Sequence, residues 1–114
     1  MDLDKSENKK KIGILGGTFD PAHKGHVKIS KEAKKKYSLN KVIWAITKNN
    51  PFKSKSSLNL KERIKFAKKI NSKNKFIKVQ YYENIIKSNR TFDLLKYIKN
   101  KNKNTKIYFI MGAD

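Results

Sequence analysis

Gly16-Gly17-Thr18-Phe19-Asp20-Pro21-Ala22-His23-Lys24-Gly25-His26 is the stretch that decides how the rest of this 114-residue chain is read. It follows the short apolar run Lys11-Ile12-Gly13-Ile14-Leu15, the pattern of a buried strand meeting a tight turn. Paired glycines after a strand let the backbone approach a ligand closely. The helix expected next presents free N–H groups and a positive dipole end, which suits phosphate. His23 and His26 are three apart, so helical geometry sets them on one side, and Gly25 between them leaves room for a bulky group. Two imidazoles beside a helix start can donate hydrogen bonds to phosphate oxygens and stabilise charge that builds during phosphoryl-type transfer. The stretch is not a Walker loop, since Gly-Lys-Ser/Thr is missing, nor the dinucleotide fingerprint Gly-x-Gly-x-x-Gly. A metal pair would need a third ligand, and none is evident, so no metal site is assigned.

Outward from that stretch, strand and helix alternate. Residues 24–37 carry Val27, Ile29, Ala33 and Tyr37 among lysines, as an amphipathic helix would. Lys41 to Thr47 is a second strand, with Trp44 expected in the core, and Lys48 to Ser57 a polar loop around Pro51. Asn59 and Glu62 make a capping-box-like start for a helix whose apolar stripe is Leu60, Ile64, Ala67 and Ile70. Phe76 to Tyr82 is a third strand; Thr91 can cap a further helix bearing Phe92, Leu94, Leu95 and Ile98; Ile107 to Met111 is a fourth strand. Strands separated by helices imply parallel pairing through crossovers. Sites in such sheets lie outside the carboxyl ends of the strands, which directs attention to Gly16–His26, Thr47–Lys53, Tyr82–Thr91 and Gly112–Asp114.

The formal charge of +20 attracts anions, but the lysines are spread along the whole chain. A dedicated nucleic-acid face would concentrate charge among aromatics, so a small anionic ligand is expected and nucleic acid is not a specific partner. The chain has no cysteine, which fits a reducing, cytoplasmic setting. No apolar run approaches the roughly 20 residues of a membrane helix. Residues 1–10 read as a disordered lead-in and 11–114 as one domain.

The decisive stretch resembles the signature of nucleotidyltransferases with a His-x-Gly-His motif, and most closely that of bacterial nicotinate-mononucleotide adenylyltransferases. Asn49-Asn50-Pro51-Phe52-Lys53 resembles the family's Asn-x-x-Pro-Pro-His-Lys loop, Thr91-Phe92-Asp93-Leu94-Leu95 its Ser-Tyr-Thr-x-Asp-Thr-Leu region, and Phe109 to Asp114 its Ile-Ile-Gly-Ala-Asp strand end. The resemblance implies an α/β, Rossmann-like fold with a parallel sheet and flanking helices. It implies that Gly16, Gly17, Thr18 and Phe19 line the phosphate turn and that His23 and His26 are catalytic, holding the ATP phosphates. It also implies that Gly112 and Asp114 meet the adenosine ribose, and that Asn50, Lys53, Arg90 and Thr91 surround the pyridine nucleotide. The implied reaction joins ATP and nicotinate mononucleotide directly, releasing pyrophosphate, with Mg²⁺ travelling on the triphosphate.

Three departures accompany the resemblance. Phe52 stands at the loop His, Asn89-Arg90 stands where Ser-Tyr is usual, and the chain stops after the fourth strand without the family's Ser-Ser-Thr-x-Ile-Arg-like segment. Read as a truncated portion, it is expected to be marginally stable, to self-associate or need a complementing C-terminal half, and to show no adenylyl transfer above background on its own. The alternatives are a non-catalytic nucleotide-binding remnant or a related enzyme such as pantetheine-phosphate adenylyltransferase.

Overall fold

The computed structural model describes residues 10–48 and 58–110. Asn50, Lys53, Gly112 and Asp114 lie outside the described residues, as does the lead-in apart from Lys10. The elements in order are β1 (Lys10–Gly17), α1 (Lys24–Tyr37), β2 (Lys41–Ile46), α2 (Leu60–Ile70), β3 (Ile77–Gln80), α3 (Glu83–Ile86), α4 (Thr91–Lys101) and β4 (Thr105–Ile110). The strands form one sheet in the order β3-β2-β1-β4, and every neighbouring pair is parallel. This is the Rossmann-like α/β arrangement expected.

A strand covered on both faces carries apolar side chains at successive positions, and Val42-Ile43-Trp44-Ala45-Ile46 is such a run. Leu15, Val42, Trp44, Ile46 and Val79 pack on one face with Phe19, Ala33 and Ala67 beneath α1 and α2. Ile14 and Ala45 pack on the other with Ile98, Leu94 and Leu95 beneath α4. Gly13 leaves room that this packing fills: a Cβ there would come within 2.7 Å of Leu39 Cδ1 and 2.9 Å of Ile110 Cδ1, and both side chains would have to shift.

The helix starts are written in the sequence. Asn59 Oδ1 accepts from the N–H of Glu62 at 2.8 Å, and Glu62 Oε1 accepts from the N–H of Asn59 at 3.2 Å, the reciprocal cap expected for α2. Thr91 differs: it is the first residue of α4, Arg90 takes the cap position, and no side-chain cap bond is made. The buried stripe of α1 is His26, Ser30 and Ala33, while Tyr37 is exposed. A serine is buried there because the Trp44 indole N–H, also buried, donates to Ser30 Oγ at 2.8 Å. The short helix α3 falls between the expected third strand and Thr91, where the sequence predicts no element.

Candidate active site

The turn after β1 is built differently from the glycine-based reading. Gly16 and Gly17 are the last two residues of the strand. The left-handed backbone falls instead on Phe19, with φ of 49°, a conformation that a bulky residue adopts only when its surroundings hold it. The Phe19 ring is fully buried, stacked on Trp44 with centroids 4.8 Å apart and 4.6 Å from the His26 ring. Only the Phe19 backbone is therefore placed to meet a ligand. The Asp20–Pro21 bond is cis, and Asp20 Oδ1 accepts from the N–H of Leu58 at 2.9 Å, joining the turn to the start of α2.

His23 and His26 are brought together, though not as two residues on a helix face. His23 is the N-cap of α1, in extended conformation, and His26 is the third helical residue. His23 Nδ1 accepts from the N–H of Gly25 at 3.0 Å, and His26 Nδ1 accepts from the N–H of His23 at 3.1 Å. An imidazole nitrogen that accepts carries no proton, so in both rings the proton is on Nε2. The centroids are 4.0 Å apart. Gly25 is explained by this cap rather than by a ligand: a Cβ there would lie 2.8 Å from His23 Cε1. The room left by Gly25 is occupied by the His23 ring itself. His23 is exposed at a groove between α1 and α2 shared with Lys24, Lys28 and Lys31, whereas His26 is 3% exposed.

A separate cleft of about 270 Å³ opens at the carboxyl ends of the strands. Gly16, Gly17, Thr47, Tyr82, Arg90, Thr91 and Phe109 are among the residues that line it. The sheet thus collects Gly16, Gly17, Arg90 and Thr91 in one place and leaves His23 on the α1 side. Burial, and then the neighbouring Tyr97, push the Tyr82 hydroxyl above its usual value, so it stays protonated as a donor. Glu83 also lines the cleft, but its Oε1 accepts from the N–H of Lys48 at 3.1 Å.

Arg90 folds back on its own helix. Its Nε donates to Asp93 Oδ2 at 3.0 Å, and Ser88 Oγ donates to the same oxygen at 2.6 Å. The Arg90 hydrogen bond, followed by that of Ser88, holds the Asp93 carboxyl below the usual carboxylate range. A lowered carboxylate adds stability above its unfolded value and loses it as pH falls through the folded one. Replacing Arg90 with alanine is expected to return the Asp93 pKa upward, read from its carboxyl carbon shift by NMR; an unmoved value would refute the pairing.

The reading of the sequence missed Arg63. This side chain is 3% exposed and lies on α2, with Nη1 donating to the carbonyls of Thr18 at 2.8 Å and Thr47 at 2.7 Å and Nη2 to that of Lys48 at 2.7 Å. A signal was present: among 29 basic residues only positions 63 and 90 are arginine.

The family described as Cytidylyltransferase-like matches residues 14–114. A protein of Pelagibacter ubique (strain HTCC1062), called a probable nicotinate-nucleotide adenylyltransferase, is 64% identical over 109 residues, 96% of this chain and 60% of that protein. One of the same name from Aliarcobacter butzleri (strain RM4018) is 40% identical over 105 residues, 91% of this chain and 58% of its own length. The chain therefore spans about three fifths of the curated relatives it matches. Among solved structures, a putative nicotinate-nucleotide adenylyltransferase from Vibrio parahaemolyticus superposes with a TM-score of 0.73 at 23% identity, over 92% of this chain and 62% of that one. The Plasmodium falciparum nicotinic acid mononucleotide adenylyltransferase complexed with NaAD gives 0.68 at 24%, over 88% and 50%; both likenesses concern the fold. With the family's match running from the middle of β1 to the last residue, across the capped histidine pair and the strand-end cleft, the chain belongs to the cytidylyltransferase-like family.

Proposed function

We propose that this chain forms the phosphate-gripping and mononucleotide-binding portion of an enzyme that moves the adenylyl group of ATP to nicotinate mononucleotide, giving nicotinate adenine dinucleotide and pyrophosphate. The observation that carries the reading is the reciprocal cap of His23 and His26. It fixes both rings with Nε2–H as the donor, at a helix N-terminus beside a bent backbone. Donors fixed before the substrate arrives lose little in reorganisation when charge develops.

In the reaction, a phosphate oxygen of the mononucleotide forms a bond to the α-phosphorus of ATP. The bond from that phosphorus to the bridging oxygen breaks, and pyrophosphate leaves with the electron pair. The two imidazoles donate to the triphosphate oxygens, while the cleft lined by Tyr82, Arg90 and Thr91 receives the pyridine nucleotide. Mg²⁺ belongs to the triphosphate as part of the substrate; among the described residues no group of three His, Cys, Asp or Glu is placed to hold a metal ion. The relatives' names, more than the geometry, favour nicotinate mononucleotide over pantetheine phosphate as acceptor. Such a role carries a cytoplasmic location with it.

ATP titrated into the chain up to the millimolar range, with the histidine ring signals followed by NMR, tests the grip. Both His23 and His26 signals are expected to shift with Mg-ATP. If neither ring moves, the reading fails.

A further inference from the structure

We infer that Arg63 is a positioning residue for the phosphate-binding turn: from behind the turn it sets the Thr18–Phe19 peptide on which nucleotide binding depends. The inference rests on the proposed ATP grip and adds to it a residue that touches no substrate.

A buried guanidinium is costly unless its charge is met. Here it is met by three backbone carbonyls from two different strand ends, Thr18 after β1 and Thr47 and Lys48 after β2. Nη1 is shared between the two strand ends, so one planar group fixes the distance between them. A lysine ammonium offers its three donors from one nitrogen and cannot reproduce that planar fork. In a chain that otherwise uses lysine almost throughout, an arginine at this position answers a geometric need. The Arg63 Nε finds no partner among the described residues, so the hydrogen bonds the side chain makes there all come from the fork.

The consequence lies one bond further on. In a planar trans peptide the carbonyl and the following N–H point in opposite directions. With the Thr18 carbonyl drawn toward Arg63, the N–H of Phe19 is turned to the side away from it. Phe19 is also the residue in left-handed conformation. That conformation persists only under constraint from both ends: the stacked ring supplies one constraint and Arg63 the other. The buried positive charge also favours an anion at the turn, since it sits where solvent screens it poorly.

Three forms of the full chain decide the matter: Arg63→Lys, Arg63→Met and, as a control for stability alone, Ala67→Gly. Ala67 lies on the same helix, fully buried, one turn beyond Arg63, and glycine there weakens the helix without touching the turn. The probe is Mg-ATP, followed through the Thr18, Phe19 and Asp20 backbone amides and the histidine rings, with unfolding monitored by circular dichroism. Arg63→Lys and Arg63→Met are expected to shift those amides before ATP is added and to weaken ATP binding about tenfold, the loss of hydrogen bonds from a charged group. Ala67→Gly, whose loss of stability is read from the same unfolding curves, is expected to bind ATP as the unsubstituted chain does. Equal weakening in Ala67→Gly would make Arg63 merely structural and overturn the inference, as would unaltered affinity in Arg63→Lys. If the unsubstituted chain itself ignores ATP, the proposed function fails instead. The amide shifts in ATP-free Arg63→Lys then judge the residue alone, and unmoved Thr18–Asp20 amides overturn its positioning role.

Discussion

Replacing His23 with asparagine is expected to leave α1 capped and to lower turnover by about 10²–10³-fold, the cost of one lost donor to developing charge. Asparagine is chosen because the imidazole has two separable jobs. Nδ1 accepts from the N–H of Gly25 and so caps the helix. Nε2 carries the proton and is the donor assigned to the phosphates. An asparagine oxygen is among the best N-cap acceptors, so the first job survives, while the shorter amide does not reach where Nε2–H stood. Alanine removes both jobs and adds a capping loss of roughly 1 kcal/mol, which the comparison subtracts. His26→Gln separates the same two roles at the third helical position, where Gln is a normal capping-box residue. Turnover is to be measured by pyrophosphate release with ATP, Mg²⁺ and nicotinate mononucleotide, in a chimera that continues this chain with the part of the Pelagibacter ubique relative beyond the match. A change confined to KM would mean the ring binds substrate and transition state equally, and the catalytic role would be lost.

The alternation of strands and helices was legible because it rests on periodicity and on caps a few residues long. Asn59 and Glu62 bracket one turn of α2, and their reciprocal bonds need nothing from the rest of the fold. The histidine pair was legible as a motif, but its geometry was not. Spacing alone suggested two rings along a helix face, whereas the first ring ends the turn and the second reaches back to it. Thr91 shows the limit of local rules, since threonine is a common cap but the residue before it takes that position. Arg63 was illegible for a different reason. Its partners Thr18, Thr47 and Lys48 are 45, 16 and 15 residues away along the chain and offer carbonyls. Every residue has a carbonyl, so no side-chain pattern announces such a contact. The left-handed Phe19 was hidden likewise, because the neighbouring glycines are the residues that ordinarily take that conformation.

The core beneath the turn should be as sensitive as the turn itself: Trp44→Ala is expected to cost about 3–5 kcal/mol of stability. Trp44 is fully buried at the middle of β2, and Phe19 stacks on it with an interplanar angle of 18°. Its indole N–H donates to Ser30 Oγ, and that hydroxyl donates in turn to the His26 carbonyl at 2.9 Å. One substitution therefore opens a cavity, removes an aromatic partner from Phe19 and deletes a donor from a buried chain of hydrogen bonds. Small domains hold about 5–15 kcal/mol in all, so the loss is a large fraction of the total. Trp44→Phe separates the terms. It keeps a ring under Phe19 and leaves Ser30 bonded to His26, so its cost should be nearer the roughly 1 kcal/mol of a single hydrogen bond plus a small void. Urea unfolding followed by circular dichroism measures both; fluorescence is unsuitable because Trp44 is the sole tryptophan. A loss below about 1 kcal/mol for Trp44→Ala would mean that the site collapses around the gap. Phe19 would then owe its left-handed conformation to its backbone ties rather than to the ring beneath it, and the Arg63 substitutions would be the more damaging to ATP binding. The larger loss would make Trp44 the floor of the Phe19 turn, and predicts that in Trp44→Ala, at urea-free conditions where the chain is still folded, the His26 ring signal moves even before nucleotide is added.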